Sequence, residues 1–212
     1  MRLVIFGPQG AGKGTQGVRV SEKYGIPAIS TGEIFRWAVA GQTALGLRVL
    51  EYVNAGKLVP NELTIQVVTE RLEAEDVKHG FILDGFPRNT AQAEALDDLL
   101  QGQGCGLDAA LVIDVPQDVS VLRILGRMAC VKCGRNYSVE APPENDSVCD
   151  ACGGEVVRRT DDLDEKTVLS RLDTYHRETE PLKAYYEERG QLREVDGVGT
   201  PEEVFARIVA VL

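Results

Sequence analysis

A doubly wound α/β fold, with a parallel sheet covered by helices on both faces, is predicted by three observations. Short apolar runs recur along the chain, each ending at a glycine or an aspartate. Stretches of helical periodicity lie between them. The first run passes straight into a glycine-rich loop that opens a helix. Buried parallel strands read as continuous apolar runs, and such sheets take their ligands beyond the carboxyl ends of the strands.

Residues 2–6 (RLVIF) form the first strand and stop at Gly7. Residues 13–24 carry a helix, stopped by Gly25 and Pro27. Ser30-Thr31-Gly32-Glu33 reads as a capping box, with a hydroxyl and a carboxylate three residues apart to satisfy each other's backbone amides. Leu45, Val49 and Val53 mark a further helix, closed by Gly56. Asn61 is expected to cap the next one, which puts Leu63, Val67 and Val68 on one face. Residues 81–83 are a second strand ending at Asp84, 109–113 a third ending at Asp114, and 192–195 a fourth ending at Asp196. Thr200-Pro201-Glu202-Glu203 is a second capping box, with proline at the first helical position. Val204, Phe205, Ile208, Val209 and Leu212 give the last helix its apolar face. Residues 130–160 break the rhythm with cysteines, Pro142-Pro143 and no helical period, which predicts an inserted small domain.

The 212 residues suit one large α/β domain with insertions. A net charge of −10 and a pI near 4.8 oppose nucleic acid or an anionic membrane as partner. If the substrate is an anion, its positive charges must be local. No apolar run approaches the roughly 20 residues of a membrane span, and the first is too short for a signal-peptide core, so a cytoplasmic protein is expected.

The loop GPQGAGKGT, residues 7–15, follows a strand and opens a helix. In that setting Gly7-x-x-x-x-Gly12-Lys13 reads as a phosphate-binding loop. Glycines let backbone N–H groups converge on phosphate oxygens, the helix start adds its dipole, and the lysine reaches the terminal phosphates. The strict pattern has Ser or Thr after the lysine; here Gly14 intervenes before Thr15. Asp84, at the end of its strand, is a candidate to hold Mg²⁺ through water. Cys130, Cys133, Cys149 and Cys152 form two CxxC pairs separated by fifteen residues, the spacing of paired zinc knuckles. Four thiolates make a closed, structural site that can staple an insertion too small for much core. Iron is an alternative metal, and two disulfides or free thiols are the competing readings. Cys105 has no partner in sequence, His79 and His176 are read as structural or surface residues, and Trp37 as packing.

The ordered set GPQGAGKGT, STGEIFR, LDGFPR, a late R-T-D-D and R-L-x-x-Y resembles the nucleoside monophosphate kinases, and most closely the bacterial adenylate kinases with a long, zinc-bearing lid. The resemblance spans essentially the whole chain and includes the Gly14-Thr15 variation of the loop. It implies a core of the P-loop NTPase type (1–29, 60–125 and 164–212), an AMP-binding insertion (30–59) that holds Trp37, and a lid (126–163). It implies reversible transfer of the γ-phosphoryl group of MgATP to AMP, giving two ADP, by a monomer with a structural zinc. Gly10, Ala11, Gly12, Lys13, Gly14 and Thr15 would bind ATP phosphates. Arg123 would stack on the ATP adenine, Gly199 would offer a backbone contact near it, Arg127 would face phosphate, and Asn136 and Tyr137 would touch ATP from the lid. Thr31, Arg36, Lys57, Leu58, Val59, Gly85, Phe86, Pro87, Arg88 and Gln92 would bind AMP, with Gln92 reading the adenine. Arg159, with Arg158 as the alternative, and Arg171 would serve the phosphates of AMP. Lys13, Arg88, Arg127, Arg159 and Arg171 would act in the transfer itself. Two other readings stand beside this one. The first is a related kinase with another acceptor, or with GTP as donor. The second is a nucleotide-switched module whose zinc ribbon, carrying Lys132, Arg135, Arg158 and Arg159, contacts nucleic acid. Thr31 and Gln92 favour AMP, and the net charge opposes the last reading.

Overall fold

The computed structural model describes residues 1–54, 57–139, 141–158, 162 and 165–212. Gly56 as a helix stop, the side chain of Val53, and Arg159 lie outside the described residues. A five-stranded parallel sheet forms the centre, in the order β2-β3-β1-β4-β8. Its strands are β1 (Arg2–Phe6), β2 (Ala28–Ser30), β3 (Phe81–Asp84), β4 (Ala109–Asp114) and β8 (Leu192–Asp196). The predicted strands are all present; β2, only three residues long, is the one that the apolar pattern did not reveal. The register pairs Ile5 with Asp84, Ser30 with Asp84, Phe6 with Val112, and Asp114 with Asp196, so all five strands deliver their carboxyl ends to one edge.

Helices cover both faces. Leu3, Ile5, Val20, Ile82, Leu111, Ile113 and Ile208 belong to one apolar layer. Val4, Phe6, Leu83, Leu96, Leu100, Val112 and Tyr186 belong to the other. The alternation along β1 and β4 follows from the period-2 geometry of a strand that is buried on both sides. α1 (Lys13–Tyr24) and α9 (Pro201–Val211) pack on the first face. α9 begins with the complete Thr200–Glu203 capping box. α5 (Thr90–Gly102) and α8 (Leu182–Glu187) pack on the second.

α2 (Thr31–Ala40) and α3 (Ala44–Asn54) pack on each other, and Phe35 and Val49 share a separate small cluster with Val59 and Leu63. Ser30 caps α2 by accepting from the Glu33 amide at 3.4 Å. Trp37 does not pack inside this unit as expected. The buried positions of α2 are Thr31, Phe35 and Ala38, which leaves Trp37 on the other side of the helix and 58 % exposed. α4 (Asn61–Leu72) follows. Asn61 is not its cap: Pro60 occupies that position, and the Asn61 amide oxygen is committed to two side chains of the α5 region instead.

After α6 (Gln117–Leu125) the chain enters a three-stranded antiparallel sheet of order β6-β5-β7. It is built from β5 (Arg127–Cys130), β6 (Asn136–Ser138) and β7 (Val156–Arg158). α7 (Glu165–Thr174) returns to the core, where Val168 and Leu172 pack on Ile124 of α6. It runs on into a π-helical segment, Tyr175–Thr179. Cys105 is half-buried against the main core, and both histidines are exposed. Among the described residues no helix is long and apolar enough to cross a membrane.

Candidate active site

The glycine loop joins β1 to α1 and lies hard against the neighbouring strand. Gly7 has φ +142°, and a Cβ on it would stand 2.1 Å from the Ile113 carbonyl oxygen. Gly10 has φ +76°, and a Cβ there would stand 2.6 Å from the Ser120 carbonyl oxygen. Only glycine fits either position. The Ser120 hydroxyl donates to the Gln9 carbonyl and pins the loop from α6. α1 begins at Lys13 with no acidic residue in its first turn, which leaves its N–H groups and dipole to an anion.

Lys13 Nζ donates to the Gly7 and Pro8 carbonyls, at 2.9 and 2.8 Å. Burial lowers its pKa to about 8; Asp84 opposes that shift, while Arg88, Arg127 and Arg171 add to it. Lys13 and these three arginines are four of the five sequence-predicted transfer residues, and the structure brings them together; the fifth, Arg159, lies outside the described residues. Asp84 Oδ2 lies 3.8 Å from where a Cβ on Gly14 would stand, facing the loop from β3. Arg123 donates to Gly197 and Gly10 at 3.0 and 3.4 Å and to Gly199 at 3.4 Å. It therefore ties the glycine loop to the turn after β8, and Arg123, Gly10 and Gly199 are neighbours.

On the other side of Lys13 the same cleft is lined by Thr31, Arg36, Val59, Arg88 and Gln92. Lys57, Leu58, Gly85 and Pro87 also border it. The Thr31 hydroxyl and Arg88 Nε both donate to the Gly85 carbonyl at 2.9 Å, which holds the turn after β3 open toward the cleft. Burial depresses the Arg88 pKa from its ordinary value, with Asp84 opposing and Arg171 assisting. Thr179, in the π-helical segment, donates to the Arg88 carbonyl at 2.8 Å. Phe86 differs from its neighbours: its side chain is buried in the main core, so only its backbone faces a ligand.

The three-stranded antiparallel unit, the predicted lid, approaches the glycine loop and α2. Asn136 Nδ2 lies 3.5 Å from where a Cβ on Gly14 would stand. Glu33 Oε1 of α2 lies 3.5 Å from the same point on Gly134. The lid thus reaches both the glycine loop and the α2–α3 unit. Arg127 grips Asp162 with two parallel bonds at 2.8 and 2.9 Å, and Arg171 reaches the same carboxylate at 3.1 Å. Asp162 is 5 % exposed. Sequence reasoning did not select it, although the R-T-D-D motif contained it. Arg158, the alternative to Arg159, donates to the Leu125 carbonyl at 2.7 Å and so braces the end of α6. The Tyr137 side chain turns into the lid interior, where its hydroxyl donates to Cys149 Sγ at 3.3 Å and accepts from the Asp150 amide at 2.9 Å. Only its main chain is available to a nucleotide.

The sulfurs of Cys130, Cys133, Cys149 and Cys152 lie within 4.8 Å of one another. Cys130–Cys152 and Cys133–Cys149 are each 3.5 Å apart, too far for disulfides, and none of the four is in one. A tetrahedron of Zn–S bonds near 2.3 Å has edges of about 3.8 Å, so the donor set fits zinc. The Lys132 amide donates to Cys130 Sγ at 3.4 Å, and the Tyr137 hydroxyl helps lower the Cys149 pKa to about 6. Both contacts favour thiolate over thiol.

The sequence profile of the adenylate kinase family matches residues 5–191. An adenylate kinase of Clostridium tetani is 49 % identical over 213 aligned positions, covering 100 % of this chain and 98 % of the relative. Adenylate kinases of Carboxydothermus hydrogenoformans and Thermodesulfovibrio yellowstonii are each 50 % identical, covering 98 % and 100 % of this chain and 97 % and 99 % of the relatives. With its phosphate loop, its arginine cluster and its four-cysteine lid, the chain belongs to the adenylate kinase family.

Proposed function

We propose that the chain transfers the γ-phosphoryl group of MgATP reversibly to AMP, giving two ADP, at the cleft between the glycine loop and the α2–α3 unit. The observation that carries this reading is the gathering of Lys13, Arg88, Arg127 and Arg171 around one point between two binding regions. Phosphoryl transfer asks for alignment, charge neutralisation and exclusion of water rather than covalent work. Residues 10–15 hold the donor phosphates, Arg123 and Gly199 flank the donor base, and Asn136 with the main chain of Tyr137 closes over it. Thr31, Arg36, Lys57, Leu58, Val59, the backbone of the 85–88 turn, Arg88 and Gln92 hold AMP. Lys13 and the arginines, Arg159 among them, neutralise charge on the transferring group. No general base is invoked. Asp84 would hold, through water, the Mg²⁺ that arrives with ATP, and the ion would neutralise charge on the donor phosphates. The four cysteines hold zinc as a staple for the lid.

The functional division follows from this. Residues 1–29, 60–125 and 164–212 are the core, 30–59 the acceptor insertion, and 126–163 the lid. The lid has an apolar cluster of its own, which supports its boundary, whereas the insertion shares one with Leu63 of α4. Action as a monomer belongs to the same reading, and a cytoplasmic setting follows from the supply of both nucleotides. The test is a coupled assay with ATP and each nucleoside monophosphate in turn. AMP is expected to be the preferred acceptor, and equal or faster turnover with CMP, UMP or GMP would overturn the assignment.

A further inference from the structure

We propose that Asn61 is a specificity-determining residue that locks the Gln92 carboxamide in the one orientation that reads adenine and rejects guanine. The proposal rests on the reading of Gln92 as the adenine contact. Gln92 is 1 % exposed and lines the acceptor side of the cleft. Its Oε1 accepts from the Arg88 main-chain amide at 2.8 Å, and its Nε2 donates to Asn61 Oδ1 at 2.9 Å. Asn61 Oδ1 also accepts from Asn89 Nδ2 at 3.0 Å. Asn89 is oriented in turn, because its Oδ1 accepts from the Gln92 main-chain amide at 3.0 Å.

Both ends of this chain of bonds are backbone N–H groups, which can only donate. The Arg88 amide therefore fixes which end of Gln92 is the oxygen. The Gln92 amide fixes the oxygen of Asn89, and so turns the Asn89 NH₂ toward Asn61. Asn61 then meets two NH₂ groups and must present its oxygen to both. A carboxamide oxygen has two lone pairs, which this uses in full. Rotating Gln92 by half a turn would set its NH₂ against the Arg88 N–H and its oxygen against Asn61 Oδ1, two repulsive contacts at once.

Gln92 is left with one N–H and one oxygen lone pair for a ligand. A donor beside an acceptor complements a ring nitrogen beside an exocyclic amino group, which is the edge of adenine. Guanine offers a ring N–H beside a carbonyl, the reverse pattern. A site that holds a buried polar group against the wrong edge discriminates strongly, because the mismatch leaves donors and acceptors unpaired. Asn61 is also the first residue of α4, separated by Pro60 alone from the Lys57-Leu58-Val59 segment that borders the same cleft. The lock therefore ties the orientation of Gln92 to that segment.

The test uses the full-length enzyme with Asn61→Leu, Asn61→Asp, Gln92→Ala and the Asn61→Leu/Gln92→Ala double variant. The readouts are kcat and KM for AMP and GMP, KM for ATP, and the thermal midpoint. Asn61→Leu is expected to lower kcat/KM for AMP roughly tenfold through KM, the loss for one buried hydrogen bond, with KM for ATP unchanged. The ratio of kcat/KM for AMP to that for GMP should narrow by a similar factor. Asn61→Asp keeps both lone pairs and is expected to recover the ratio to within about threefold of the parent. The double variant should lose no more AMP selectivity than Gln92→Ala alone, because Asn61 acts through Gln92. If Gln92→Ala narrows the ratio and Asn61→Leu does not, the Asn61 role is overturned while Gln92 stands. If Gln92→Ala leaves the ratio unchanged, both assignments fall. If Asn61→Asp is as poor as Asn61→Leu, the residue acts by packing and the lock is refuted. Should Asn61→Leu fail to fold, Asn61→Ala carries the same expectations.

Discussion

The sheet that carries the glycine loop buries Leu3, Ile5, Ile82, Leu111 and Ile113 to 1 % exposure or less, whereas the lid interior is Cys130, Tyr137, Cys149 and Val156. The first region is held by apolar area spread over two layers, so no single side chain carries it. The second has almost no apolar area and depends on four sulfurs and the one hydroxyl that touches them. Yet both regions face the same cleft: the sheet delivers Lys13 and Arg88, and the lid delivers Arg127 and Asn136. The difference teaches that chemistry and stability are separable here. Damage at the sheet edge should remove turnover from an intact fold, and damage in the lid interior should remove order from an intact edge.

The largest expected effect is at the sheet edge. Lys13→Ala should lower kcat by roughly 10²–10³, the usual cost of removing one preorganised group from a charge-stabilising site. The circular dichroism spectrum should not change, since among the described residues the ammonium bonds two loop carbonyls and no helix or sheet depends on it. Near-normal turnover in this variant would erase the distinction drawn above. Asp162→Asn comes next, at the junction of the two regions. It keeps the shape of the carboxylate but not the charge that Arg127 and Arg171 share. Charge-assisted bidentate pairs are strong, so kcat/KM for ATP should fall roughly tenfold to a hundredfold. Steady-state kinetics that show a smaller loss than in Cys149→Ser would mean that Asp162 does not deliver the arginines.

Cys149→Ser probes the lid alone. Metal analysis should find about one zinc per chain in the parent and far less in the variant. The thermal midpoint should drop, and the helix signal of the core should survive chelation, because the core's apolar clusters are separate from that of the cysteine unit. Turnover at moderate temperature should fall only a few-fold, with KM for ATP raised by an incompletely ordered lid. A parent protein without metal whose stability is insensitive to Cys149→Ser would refute the structural-zinc role and leave the transfer site standing.

The two regions were also unequally legible. The glycine loop could be read because its function is carried by contiguous backbone: seven residues after a strand, with glycine where Ile113 and Ser120 crowd the chain. The CxxC pairs were legible for the same reason, since ligand spacing is local. The strands of the lid and β2 were not, because three or four residues are too few to show a period. Side-chain direction was the other loss. Phe86 and Tyr137 sit in motifs expected to touch nucleotides, yet both point into cores, and Trp37 points out. Asn61 read as a cap because the residue type favours caps, but Gln92 and Asn89 compete for its oxygen from 28 or more positions away in sequence. Asp162 escaped notice because its role depends on two arginines that only the folded chain brings together.

The smallest expected effect is a pH dependence, and it isolates the sheet edge without a mutation. In the free enzyme Lys13 has its pKa lowered to about 8 by burial, with Arg88, Arg127 and Arg171 adding to that and Asp84 opposing it. The unfolded chain holds the same ammonium near its ordinary value of about 10.4, so between pH 8 and 10 the unfolded state binds more protons than the folded one. The charged lysine therefore costs the apo fold stability below pH 8, and that cost fades as the pH rises through the window. Binding reverses the balance: a polyphosphate beside Nζ favours the ammonium, so the complex should take up a proton. Calorimetry of ATP binding near pH 8, in buffers of different ionisation enthalpy, should report about half a proton taken up per site, falling toward zero at pH 6.5. The ratio kcat/KM should decline above pH 8, since it follows the free enzyme. Lys13→Arg keeps its charge throughout and should abolish the proton uptake, whatever its turnover. Uptake that persists in Lys13→Arg would assign the titration to another group and would remove Lys13 as the cation that senses the phosphates.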